Sequence, residues 1–132
     1  MNLPCAIFGL YCALVGPAKV IDGDTIIVQG KHIRLAGIDA EEMYEGNGLI
    51  ARAGLASMVA GQDVRCEDTG ERSYNRTVAV CWAGGHRDVD LSLNARMVRE
   101  GYALDCARYS NGKYRGLEPD GARYRLKQKP YC

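Results

Sequence analysis

The chain has 132 residues, enough for one domain with a sizeable core but not for two. Its 47% apolar and 25% charged residues are those of an ordinary soluble globular protein, and a formal net charge of +1 does not describe a generic polyanion binder. The distribution of charge says more. Residues 1–95 carry eight Lys and Arg against twelve Asp and Glu, and residues 96–132 carry nine against four. An acidic first part and a basic final third suit a metal centre beside a polyanion track, although a basic tail is as often only a solvated helix face.

Residues 1–16 (MNLPCAIFGLYCALVG) are apolar, with no lysine or arginine. A membrane-spanning helix needs about 20 residues, so no stable membrane insertion is expected. The stretch has the length of a signal-peptide apolar region but lacks a basic leading segment. Gly16-Pro17-Ala18 offers small residues for cleavage, at the expense of the first strand. Residues 1–16 are read as an apolar leader, a possible signal peptide, ahead of a domain over 17–132. The alternative is a hydrophobic segment packed on that domain.

Residues 18–21 read as the first strand, and the chain is then organised around residues 21–42, IDGDTIIVQGKHIRLAGIDAEE. Asp22-Gly23 is a turn signal, residues 25–28 are rich in β-branched side chains, and Gly30 sits where a reversal is needed. Val/Ile-rich runs flanking a glycine turn predict a β-hairpin. That hairpin carries Asp24 back beside Asp39, with Glu42 close by. Clustered carboxylates repel unless something positive lies between them, and a hard divalent cation held by oxygens is the natural guest. Arg34 on the same hairpin adds a planar, permanently charged fork suited to phosphate. A three-residue turn over 29–31 pairs Ile26 with Arg34 and puts Asp24 on the same face. A two-residue turn slips the register by one and sends Arg34 to the opposite face, so the arginine–carboxylate cluster is expected to need the first.

Residues 45–47 make a polar loop, and Leu49, Ala53, Ala56 and Val59 give residues 48–60 a helical period, stopped by Gly61. A short strand over 63–67 leads into a charged loop over 68–75. Residues 77–82 (TVAVCW) form the strongest strand, closed by Gly84-Gly85. Leu91, Ala95 and Val98 mark a second helix capped by Asp90 or Ser92 and ended by Gly101. Residues 102–116 are irregular and tyrosine-rich, and residues 117–128 are expected to form a last helix with Pro119 in its first turn. Five short strands with about three helices make an α+β domain. A small, coiled antiparallel barrel with a helix between its third and fourth strands is the OB architecture. That fold hosts many functions.

The succession Val20-Ile21-Asp22-Gly23-Asp24-Thr25, Ile33-Arg34-Leu35, Gly37-Ile38-Asp39-Ala40-x-Glu42 and Tyr74-Asn75-Arg76 resembles the staphylococcal nuclease (thermonuclease) family. The likeness continues through Leu93-Asn94, Val98-Arg99-Glu100-Gly101-Tyr102-Ala103 and Tyr109-Ser110, over about residues 17–128. Each motif is weak alone; the order and spacing are specific. The resemblance implies an OB-fold, calcium-dependent phosphodiesterase acting on single-stranded or locally melted DNA and RNA, as a monomer, with the phosphate left on the 3′ side. It implies Asp24 and Asp39 as calcium ligands with the Ala40 carbonyl, and Asp22 as a carboxylate just behind them. It implies Glu42 as the residue that orients or deprotonates water, Arg34 and Arg76 as the phosphate arginines, and Tyr74 and Tyr109 as nucleotide contacts. Those residue types suit the chemistry independently: cleavage needs a nucleophile, a Lewis acid and countercharge for a dianionic transition state.

The chain departs from the family pattern in three places. Glu41 replaces the usual proline, leaving Glu41 as an alternate base. A stacking tyrosine is missing around Ala107-Arg108. The segment between Glu42 and Gly48 is short. A rival reading is therefore a non-catalytic nucleic-acid-binding OB module with a relaxed site. Six cysteines, at 5, 12, 66, 81, 106 and 132, contain no CxxC pair, which argues against structural zinc. Cys66 with Cys81 and Cys106 with Cys132 are plausible disulfides suited to an exported protein, periplasmic or extracellular; the alternative is buried thiols in a cytoplasmic domain. His32 is expected to be an exposed strand residue and Trp82 to belong to the core.

Overall fold

A computed structural model describes residues 13–132. The remainder of the apolar leader, residues 1–12, lies outside the described residues, as do Cys5 and Cys12. Strands β1 (Ala13–Asp22), β2 (Thr25–Val28), β3 (Lys31–Leu35), β5 (Asp63–Ser73) and β6 (Arg76–Ala83) close a barrel in the order β1-β2-β3-β6-β5. Two-residue β4 (Ile38–Asp39) pairs outside it with β7 (Leu104–Asp105). Helix α1 (Gly48–Val59) lies between the third and fourth barrel strands, as in the expected OB architecture. The β3–β6 pair is parallel, so the barrel is mixed rather than antiparallel throughout.

Alternation fills the barrel. Ile26, Val28, Ile33, Leu35 and Val64 are wholly buried, and Leu55 of α1 with Met97 and Val98 of α2 (Leu93–Arg99) closes the core. Truncating one such side chain to alanine typically costs about 2–5 kcal/mol. Ser92, rather than Asp90, caps α2, its Oγ accepting the Ala95 N–H at 3.0 Å. Fully buried Asn94 then stitches α2 to the barrel. Its Oδ1 accepts from Cys81 N, and its Nδ2 donates to the Ala36 and Ala79 carbonyls. Trp82 is buried as expected, its Nε1 donating to the Asp88 carbonyl at 2.7 Å, and His32 is exposed.

Three local expectations are corrected and one open alternative, the hairpin turn, is decided. The first strand starts at Ala13, so residues 13–16 of the predicted leader are strand residues paired with β5. The β2–β3 hairpin uses the two-residue turn: Thr25 faces Arg34 and Val28 faces Lys31. Gln29 at φ 50° and Gly30 at φ 73° both take positive φ, the conformation whose twist matches a two-residue hairpin. Most of the charged loop over 68–75 is instead a continuation of β5, which runs to Ser73 with a bulge between Asp68 and Arg72 and leaves only residues 74–75 as the turn. Asp68 Oδ1 holds that bulge by accepting from Gly70 N at 2.7 Å and Arg72 Nη1 at 2.9 Å. The last helix is broken into a 3-10 turn (Arg115–Leu117) and one turn of α4 (Ala122–Arg125), because the chain reverses at Pro119 to Gly121, where Gly121 has φ 80°.

Within the irregular 102–116 stretch, residues Ala107–Ser110 form the short helix α3. Disulfides join Cys66 to Cys81, directly opposite each other on β5 and β6, and Cys106 to Cys132, which ties the carboxyl-terminal segment beside β7.

Candidate active site

One wall of the site is acidic. Asp24 lies in the turn between β1 and β2, where strand alternation does not govern its side chain. Its Oδ1 accepts the Thr25 hydroxyl at 3.2 Å, and its Oδ2 accepts the Ala40 N–H at 3.1 Å. Arg34 Nη2 stands 3.3 Å from Asp24 Oδ2 despite the two-residue register, so the arginine–carboxylate contact survives the slip that was expected to abolish it. Asp22, just behind, accepts the Asp24 N–H at 3.1 Å. Burial, then the charge of Asp24 and a hydrogen bond with it, then Glu42, push its pKa up to about 6. Asp39, 2% exposed, leaves β4 pointing into the same region as the Ala40 carbonyl.

The two adjacent glutamates differ sharply. Glu41 is buried and accepts from Asn47 N at 3.3 Å, Asn47 Nδ2 at 2.7 Å and Lys127 N at 3.4 Å, which makes it a clasp between the loop and the carboxyl-terminal segment. Glu42 keeps 41% of its side chain exposed on the site side. Its backbone is set by Gly48: a Cβ at that position would collide with the Glu42 carbonyl, so only glycine lets α1 start so close.

Lys129 meets this wall from the far end of the chain. Its Nζ donates to Asp39 Oδ1 at 3.0 Å and to the Ala40 carbonyl at 2.9 Å, and lies 3.7 Å from Glu42 Oε1. Its backbone N–H donates to Asp39 Oδ2 at 2.8 Å. Burial alone would lower the Lys129 pKa, but the hydrogen bond and charge of Asp39, then Glu42 and Asp24, raise it above its ordinary value. The oxygens therefore fit a cation in kind, since they already converge on one. A calcium ion takes about six to eight oxygens at shorter range. Among the described residues no three His, Cys, Asp or Glu side chains are grouped tightly enough to hold a metal. The carboxylates of Asp24 and Asp39 and the Ala40 carbonyl are the kind of oxygen donor a hard cation takes, and the Lys129 ammonium occupies two of those oxygens.

The other wall is basic and aromatic. Arg34, Arg76, Tyr74 and Tyr109 all line one cleft of about 350 Å³, together with Arg72 and Tyr131. Arg34 Nη1 and Nη2 donate to the Leu35 and Ile38 carbonyls at 2.7 and 2.8 Å. Arg76 Nη1 donates to Thr25 Oγ1 at 3.2 Å and Nη2 to Ser73 Oγ at 2.9 Å. Thr25 thus links the two walls, accepting from Arg76 while donating to Asp24. Tyr74, at φ 57° on the β5–β6 turn, is 94% exposed, and Tyr109 on α3 meets Tyr131 edge to face at 6.4 Å.

The structure places Arg34, Arg76, Tyr74 and Tyr109 on one cleft, gathers Asp39, the Ala40 carbonyl and Glu42 around Lys129, and sets Asp24 and Thr25 between the two groups. The sequence reading missed Thr25, Ser73, Arg72 and Lys129. Of these only the tail had a signal, its basic character and the pairing of Cys106 with Cys132.

Comparison with known proteins places the chain in a family. Residues 32–123 match the family model described as staphylococcal nuclease homologue. The chain is 37% identical over 94 residues to a micrococcal nuclease of Shigella flexneri, covering 64% of this chain and 53% of that protein. It is 31% identical over 112 residues to the succinoglycan biosynthesis protein ExoI of Rhizobium meliloti, covering 76% of this chain and 56% of the relative. An uncharacterized endonuclease of Haemophilus influenzae is 32% identical over 98 residues, covering 70% and 52%. The chain spans about half the length of these curated relatives. On the family match, the barrel and the assembled site, this chain belongs to the staphylococcal nuclease homologue family.

Proposed function

We propose that the chain is a calcium-dependent endonuclease that hydrolyses phosphodiesters of single-stranded or locally melted DNA and RNA and leaves 3′-phosphates. The observation that carries this is the junction of the two walls: Arg34 and Arg76 line one cleft, and Asp24 pairs with Arg34 and accepts from Thr25 and from the backbone N–H of Ala40, the residue after Asp39. In this reading Asp24, Asp39 and the Ala40 carbonyl hold calcium, with Asp22 buttressing Asp24 from behind. Bound there, calcium supplies Lewis-acid polarisation of a phosphate oxygen. Glu42, the exposed member of its pair, takes the proton of the attacking water. Arg34 and Arg76 turn their forks to the phosphate and gain strength as its charge rises. Tyr74 and Tyr109 offer faces for the flanking bases. The two disulfides favour an exported protein, periplasmic or extracellular. No described helix is long and apolar enough to cross a membrane.

A second reading, a binding module without catalysis, is favoured by one observation: the Lys129 ammonium already neutralises Asp39. Incubating the purified chain with end-labelled single-stranded DNA, in millimolar calcium and in chelator, separates the two. Calcium-dependent fragments ending in 3′-phosphate are the expected result. Retention of the oligonucleotide without fragments in either condition would leave the binding module.

A further inference from the structure

The tail from Leu126 to Cys132 crosses the acidic loop as a strap. Lys127 N donates to Glu41, Lys129 N to Asp39, and Gln128 Nε2 to the Asp105 carbonyl at 2.7 Å, and the Cys106–Cys132 disulfide pins the end. These contacts fix the backbone of residue 129 with its side chain aimed inward. Lys129 Nζ then takes the oxygens of Asp39 and Ala40, and its side chain is 19% exposed.

We propose that Lys129 is a tethered internal competitor for the divalent-cation position, so that its ammonium and a bound metal ion exclude each other. The inference rests on the calcium reading above and concerns what governs that site. Two positive charges cannot share the Asp39 Oδ1 and Ala40 oxygens at contact distance. The exchange is local. The backbone N–H of Lys129 bonds Asp39 Oδ2, whereas Nζ bonds Oδ1, so a swing of the flexible four-carbon stem frees Oδ1 and the Ala40 carbonyl while the strap stays in place. The disulfide three residues away keeps the displaced ammonium close, at high effective concentration. Competition of this kind weakens apparent metal affinity by the fraction of time the site is free. An ammonium present nine-tenths of the time raises the apparent Kd about tenfold. The acidic wall then binds metal only where calcium is plentiful, and the protein carries its own neutralising cation elsewhere.

The test measures binding, not turnover. Calcium is titrated calorimetrically into the full oxidised chain and into Lys129→Met, which keeps the apolar stem and removes the charge. In parallel, amine acylation of Lys129 in the unaltered chain is read by peptide mass spectrometry with and without calcium, with Lys113 as internal reference. The expected result is calcium binding about tenfold tighter in Lys129→Met and several-fold faster acylation of Lys129 when calcium is present. Equal affinities, or weaker binding in the variant, would overturn the competition and leave the calcium site standing. Acylation indifferent to calcium in a chain that binds it would overturn the competition without reference to any variant. Absence of calcium binding in both proteins would overturn the metal reading itself, and the competition with it.

Discussion

The two walls of the site are charged oppositely and are satisfied differently. On the acidic wall the buried carboxylates are met by the protein itself: Asp24 by Thr25, Ala40 and Arg34, Asp39 by Lys129, Glu41 by Asn47 and Lys127. On the basic wall, Arg76 is held only by neutral oxygens of Thr25 and Ser73, which position its fork without cancelling its charge. The buried carboxylates of the acidic wall therefore contribute to stability, and on the basic wall Arg76, unlike the Asp24-paired Arg34, keeps its charge for an anion. Substitution of the buried Glu41 in the first should register in folding, and substitution of Arg76 in the second, like that of the exposed Glu42, in activity.

The largest expected effect is on the basic wall. Arg76→Ala should lower the cleavage rate about 10²–10³-fold, the usual result of removing one transition-state donor, with thermal unfolding little changed. A comparable loss of stability would break the contrast. On the acidic wall, Glu41→Ala should do the reverse: it strands the Asn47 and Lys127 donors and costs about 1–3 kcal/mol in denaturant unfolding. Cleavage should persist in the folded fraction.

Asp22 sharpens the comparison through pH. Its folded pKa of about 6 exceeds the usual 3.8, so the native state holds the proton more tightly than the unfolded chain. The ionised group therefore subtracts stability, by an amount that grows as pH rises from about 4 and is complete above about 6. Asp22→Asn should be more stable than the unaltered chain at pH 7, by about 1 kcal/mol after allowing for solvent screening of a partly exposed group. The advantage should vanish below pH 4, as read from unfolding curves at the two pH values. The smallest effect is expected at Tyr131→Ala, which removes the partner of Tyr109 in the cleft. Oligonucleotide binding should weaken about fivefold, or ~1 kcal/mol, with the rate at saturation retained.

Much of this was legible in local sequence. The turn residues and β-branched runs of 21–42 specify a hairpin, and the succession of strands with a helix after the third specifies the barrel. The register argument failed because it extended strand alternation to Asp24, which lies in a turn and meets Arg34 from outside the ladder. The continuation of β5 was hidden because its bulge is held by a side chain, Asp68, in a stretch whose composition reads as loop. The last helix yielded to Pro119 and Gly121. Spacing left Glu41 and Glu42 equivalent; burial, a tertiary property, tells them apart. Lys129 was marked only by the basic character of the tail, because its partner Asp39 is 90 residues away in sequence.

The most direct test of the central claim pairs binding with cleavage in Glu42→Ala, using a single-stranded oligonucleotide under single-turnover conditions in calcium. If the walls form one phosphodiester-hydrolysing site with Glu42 as the base, the variant binds the oligonucleotide as the unaltered chain does and cleaves it at least about a hundredfold more slowly. Cleavage at the unaltered rate would contradict the account.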